Sequence, residues 1–149
     1  METLALWLDS ASLHKPIERR AAALQLARAQ VWGFASDMQI LAAIAFWPLE
    51  PGFDEVVLAG RPAGEIGPHM LRLARLAHLT FAERAQSGVI RFRALVRQNH
   101  RPGERLAQIS GFRLQTSRDG WGSVPPGFTL WVREWENSSA ECSDNSPGR

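Results

Sequence analysis

From residue 90 the chain alternates apolar and basic side chains. Ile90, Phe92, Ala94 and Val96 fall on one side and Arg91, Arg93 and Arg97 on the other, the two-residue period that predicts a β-strand over residues 89–97. Upstream the period changes: Met70, Leu73, Ala74, Ala77 and Phe81 share one helical face behind Pro68, with Gly88 closing the helix. Residues 16–30 carry a second such stripe, Ile17, Ala21, Leu24 and Ala27, behind Pro16. A short apolar segment, residues 4–8, predicts a first strand ended by the turn and cap formers Asp9, Ser10 and Ser12. Between residues 31 and 60, three β-rich runs separated by Ser36-Asp37 and by residues 48–52 predict a meander of strands at 31–35, 39–47 and 55–59. The middle run is alanine-rich and continuously apolar, so its period alone also allows a buried helix. A short helix at residues 102–109, stopped by Ser110 and Gly111, precedes a final antiparallel pair at 112–116 and 128–133 across a loop rich in glycine and proline.

Length and composition narrow the class. The chain has 149 residues, 45% hydrophobic and 21% charged, with no internal repeat, which suits one globular domain over residues 1–133 and a polar, acidic tail over 134–149. The tail holds a net of −3, which leaves +5 on residues 1–133 out of a total of +2. With a single cysteine, Cys142, and no Cys/His cluster, an internal disulfide is excluded and no metal site is expected. The opening residues lack the basic and apolar regions of a secretion signal, and the longest apolar run, residues 40–49, is about half the ~20 residues of a membrane-spanning helix, so a cytoplasmic protein is expected. Tyrosine is absent, which removes any chemistry that needs a phenol.

The order strand, helix, three-strand meander, long helix, strand, short helix, two strands resembles the GNAT superfamily of acetyl-CoA-dependent N-acyltransferases over residues 3–133. Two segments match locally. Glu65-Ile66-Gly67-Pro68-His69-Met70-Leu71 resembles the family's Gly-Ile-Gly-x-x-Leu-Leu at the entry to its long helix, and the stretch from Asn99 to Gly111-Phe112 resembles its asparagine, short helix and Gly-Phe closing. The resemblance implies an α/β (α+β) fold with a mixed, mostly antiparallel twisted sheet flanked by helices. It also implies acetyl-CoA as cofactor and transfer of its acetyl group to an amine.

On that resemblance, the cofactor would be held by Arg61, Gly64, Ile66, Gly67, His69, Asn99 and Arg101. The physical basis is that unpaired N–H groups and the helix dipole at a glycine-rich turn attract a pyrophosphate. The chain departs from the pattern here: Glu65 stands at a glycine position and would repel a diphosphate unless turned away or neutralised, and Pro68 has no N–H. Glu55, at the start of the strand before this loop, falls where the family can place a carboxylate that deprotonates the amine. Ala107 occupies the position of a frequent family tyrosine, so Ser110 or a water would return the proton to the leaving thiolate. His14, His69, His78 and His100 are too scattered to share a metal.

Two other functions are compatible with the same residues. A GNAT-like chain with an altered cofactor loop would suit an interaction or assembly protein, as met among bacterial accessory and bacteriophage proteins, acting through a protein partner or as a homo-oligomer. Of the six tryptophans, Trp121 in a loop and Trp135 past the last strand would be its anchors, while Trp7, Trp32 and Trp47 cap the sheet. Arg91, Arg93 and Arg97 on one strand face would suit nucleic acid, although the near-absence of lysine argues against it.

Overall fold

The computed structural model describes residues 28–61 and 63–136. Among the described residues six strands form one sheet in the order β1-β2-β3-β4-β6-β5. β1 (Gln30–Ser36), β2 (Gln39–Glu50) and β3 (Phe53–Gly60) are the expected antiparallel meander. A helical course follows, first α1 (Ala63–Ile66), then a 3-10 turn (Gly67–His69), then the long α2 (Met70–Gln86). β4 (Arg91–Arg97) returns parallel to β3, and α3 (Arg101–Ile109) leads to β5 (Arg113–Gln115) and β6 (Phe128–Glu134), both antiparallel to their neighbours. The expected strand at residues 4–8 and most of the expected helix at 16–30 lie outside the described residues. Gln30, expected at that helix's end, is instead the first residue of β1.

The middle run is a strand throughout, and the helical alternative is excluded. Its lack of alternation has a plain cause: both faces of β2 are covered. Ala42, Ile44 and Phe46 face the main core, while Ala45 packs with Ala59, Val31 and Val57 on the opposite side. Pro48 is tolerated in β2 because the ladder with β3 shifts register between Pro48 and Glu50. The β1–β2 hairpin turns on Asp37 and Met38, both with positive φ, as a two-residue turn of this twist requires.

α2 and α3 cover one face of the sheet. Leu73, Ala77 and Phe81 of α2 and Ala107 of α3 meet Phe46, Val56, Phe92 and Trp131 of the strands. Phe46, Phe81 and Phe92 meet edge to face with centroids 5.0–5.8 Å apart. The other face carries a second cluster of Phe53, Trp121, Leu130 and Val132. Packing continues past the expected domain end at residue 133: β6 includes Glu134, and the Trp135 amide donates to the Ile90 carbonyl at 2.8 Å.

Both long turns after helices are set by glycine in the left-handed region. Gly88 ends α2, and Gly111 ends α3 with the Phe112 amide donating to the Ala107 carbonyl and the Gly111 amide to Gln108. These stops aim β4 and β5 into the sheet, and with them the two strand ends that frame the site.

Candidate active site

β3 and β4 pair over only three residues, Phe53↔Arg91, Asp54↔Phe92 and Glu55↔Arg93. Beyond that point β3 continues to Gly60 paired with β2 alone, and β4 continues to Arg97 paired with β6 alone. Among the described residues their facing edges from Val56 and Ala94 onward therefore have no strand partner, and a wedge opens in the middle of the sheet. Backbone N–H and C=O groups along such edges are left to find partners other than a neighbouring strand.

Because the two strands are parallel, the segments that leave their C-terminal ends arrive at the same edge of the sheet. After β3 come Arg61, Gly64, Ile66, Gly67 and His69; after β4 come Asn99 and Arg101. Ile66 is a partly buried anchor: its Cδ1 would lie 3.1 Å from a Cβ at Gly60, so glycine at position 60 lets α1 sit down on the end of β3. Gly64 and Gly67 are exposed, and a Cβ at either would touch nothing within 4 Å, so the surrounding chain does not itself require glycine there. The Arg61 Nε donates to the Ile40 carbonyl at 2.9 Å, and its Nη1 lies 3.5 Å from Glu65 Oε2. The Glu65 charge is thus turned onto Arg61. His69 ends the 3-10 turn without capping α2 through its side chain. Asn99 holds φ +60, a left-handed conformation that asparagine tolerates and that starts the tight turn into α3. His100 caps that helix, its Nδ1 accepting the Gly103 amide at 3.2 Å.

Glu55 sits at the apex, the last paired residue before the strands part. Its Oε2 accepts from Arg93 Nε at 2.8 Å and Nη2 at 2.5 Å. Alternation puts Glu55 and Arg93 on the face away from the helices, with Phe53 and Val132. Ser110 lies on the helix-bearing face, where its carbonyl accepts from Arg133 Nη1 at 2.7 Å, and Arg133 pairs with Phe92, the neighbour of Arg93. Burial between the rings of Phe81 and Trp135 lowers the pKa of Arg133 below its ordinary value. Ala107 is buried in the main core, one turn before Ser110. The next residue before Glu55, Asp54, faces the helices and is 1% exposed. Arg84 holds its Oδ2 with Nε at 2.8 Å and Nη2 at 2.7 Å, yet burial dominates and raises the Asp54 pKa.

Two sequence expectations change. Of the three arginines of β4 only Arg97 is exposed: Arg93 is 8% exposed, and Arg91 lies 4.7 Å from the Phe53 ring and 4.5 Å from the Trp121 ring. Nor is Trp121 an exposed anchor, since it is 5% exposed and packs edge to face on Phe53. Sequence reasoning offered Arg93 only to nucleic acid and did not connect it with Glu55. The alternation was correct, but nothing local revealed that the loop at 117–124 folds over that face and buries it.

No protein-family model and no curated protein sequence matches the chain. Solved structures match it over nearly their whole length. A Bacillus subtilis acetyltransferase in complex with CoA is 13% identical with a TM-score of 0.68, covering 91% of this chain and 92% of its own. A GNAT family acetyltransferase from Elizabethkingia anophelis with acetyl-CoA bound is 13% identical with a TM-score of 0.60, over 87% and 88%. The ribosomal-protein-S18-alanine N-acetyltransferase of Escherichia coli is 17% identical with a TM-score of 0.61, over 93% and 90%.

Proposed function

From the GNAT fold of this chain as premise, we propose that the protein is an N-acyltransferase that binds acetyl-CoA in the wedge between β3 and β4 and acetylates an amine. The observation that carries this reading is the wedge itself: a sheet of this order stops pairing in its middle where three residues of parallel ladder end. A strand pair that parts while each strand stays bonded on its outer side leaves edges suited to the amide groups of a pantetheine arm.

The residues around the wedge fit such a group. Arg61 answers the charge of Glu65, which removes the repulsion that Glu65 would otherwise exert on a diphosphate. Gly64 and Gly67 leave the approach to the helical course open, and Arg101 supplies positive charge on the β4 side of the opening. Asn99 offers a side-chain amide at the end of β4. Ile66 and His69 act in this reading by holding the turn, Ile66 through its packing over Gly60.

When bound, acetyl-CoA would supply the activated acetyl thioester. Glu55 would accept the proton of the acceptor amine at Oε1, directly or through a water. Ser110, on the helix-bearing face, would be the hydroxyl that supplies a proton to the leaving thiolate. The two groups stand on opposite faces, which suits an acceptor that enters from one side and a thiol that leaves from the other. Fold likeness to enzymes of this kind supports the class of reaction, and the S18-alanine specificity of one neighbour belongs to that protein.

Isothermal titration with acetyl-CoA tests the reading. One-to-one binding is expected, and Gly67→Asp, which puts a carboxylate into the open approach, should abolish it. Absence of binding at millimolar acetyl-CoA, or an unchanged affinity in Gly67→Asp, would contradict the assignment.

A further inference from the structure

The loop between β5 and β6 is held against the sheet by two arginines of β4. Arg91 lies between the Phe53 and Trp121 rings and donates to the Gly120 carbonyl. Arg93 gives Nη1 to the carbonyls of Trp121 at 2.7 Å and Ser123 at 3.1 Å. Its other edge, Nε and Nη2, goes to Glu55 Oε2. One guanidinium is therefore shared between the loop and the carboxylate. The loop approaches so closely that a Cβ at Gly122, which holds φ +80, would stand 2.6 Å from Nη1.

A guanidinium buried this deeply is unfavourable unless its charge and donors are met, and an apolar side chain would anchor a merely structural loop as well. The geometry at Glu55 offers a reason for the arginine. Both bonds end on Oε2, so Oε1 accepts nothing from any other described residue, and the side chain remains 22% exposed.

We propose that Arg93 is the positioning residue of this site. It fixes the Glu55 carboxylate with Oε1 as the accepting atom, and it ties that orientation to the packing of the 117–124 loop on the β3–β4 ladder beside the wedge. The proposal rests on the acyltransfer reading for what Oε1 does, and on geometry alone for the clasp.

The test combines hydrogen exchange of amides 117–124 with thiol release from acetyl-CoA. The amine probe is a short peptide with a free α-amino end. Wild type is compared with Arg93→Lys, Arg93→Gln, Glu55→Gln and the Arg93→Gln/Glu55→Gln double variant. Arg93→Gln should speed loop exchange by about tenfold or more, since the loop loses its buried anchor. It should also lower kcat by about tenfold or more while leaving the KM for acetyl-CoA nearly unchanged, with partial rescue by lysine. The double variant should be no slower than the slower single variant, because Arg93 acts through Glu55. Loop exchange unchanged in Arg93→Gln, or kcat losses that multiply in the double variant, would overturn the proposal. Should Arg93→Gln not fold, Gly122→Ala displaces the guanidinium with every charge retained and should give the same two effects, and the absence of both would overturn the proposal. Wild type that does not bind acetyl-CoA sinks the acyltransfer reading and the role of Oε1 together, while the exchange rates still decide the clasp.

Discussion

At the scale of single residues, β3 carries two neighbouring acids that face opposite ways. Asp54 is enclosed on the helix side, where burial raises its pKa above the ordinary 3.8 despite Arg84. A raised native pKa means that the folded protein holds this proton more tightly than the unfolded chain. Its contribution to stability is then complete below about pH 4 and declines as pH rises through the native value. Urea midpoints of wild type and Asp54→Asn should show a stability difference that shifts against wild type between about pH 4 and pH 7. A difference that grows in favour of wild type would mean that the Arg84 pair outweighs burial. Glu65 gives a second residue-scale expectation. Glu65→Gly frees Arg61 from its i, i+4 partner, and acetyl-CoA affinity should rise roughly two- to fivefold, the equivalent of an exposed pair worth about 0.5–1 kcal/mol. Titration at low and high salt checks it, since the gain should shrink as salt rises.

At the scale of elements, the two glycine stops differ in a way that predicts their substitutions. A Cβ at Gly88 would meet nothing within 4 Å, so Gly88→Ala should cost only the left-handed conformation, about 1 kcal/mol. A Cβ at Gly111 would meet the Arg133 guanidinium at 3.3 Å, so Gly111→Ala should cost more, as read from denaturant midpoints. Equal losses would mean that Arg133 moves freely. In the core, Phe81→Ala opens a cavity beneath the Phe46 and Phe92 rings and should cost about 3–5 kcal/mol. Much of this layer was legible in the sequence. The spacing of Leu73, Ala77 and Phe81 gives α2, and the proline and glycine punctuation gives its limits to within two residues. β2 was ambiguous because burial on both faces removes the alternation that marks a strand, so Ala43 and Ala45 read as helix formers. Arg93 and Trp121 were misread for a related reason. Strand period reports which side a residue faces, and only the course of a distant loop decides whether that side is covered.

At the scale of the whole molecule, the element order identified the architecture where no single motif did. The stretch from Glu65 to Leu71 departs from the glycine pattern it resembles, while the sheet order and the three-residue parallel ladder keep the geometry that the order implies. The wedge itself is invisible in sequence, because Val56 to Gly60 and Ala94 to Arg97 have the composition of ordinary paired strands. Binding in it should stabilise the fold as a unit: at acetyl-CoA one hundred times Kd, unfolding should become harder by about 2.7 kcal/mol. The most direct measurement is a map of backbone amide shifts as acetyl-CoA is added to the labelled protein. Shifts concentrated at Leu58 to Gly60, Gly64 to Gly67 and Leu95 to Asn99, with the far edge at β1 unmoved, are what a cofactor lodged between β3 and β4 produces. Saturable shifts that lie elsewhere, or none at millimolar acetyl-CoA, would contradict it.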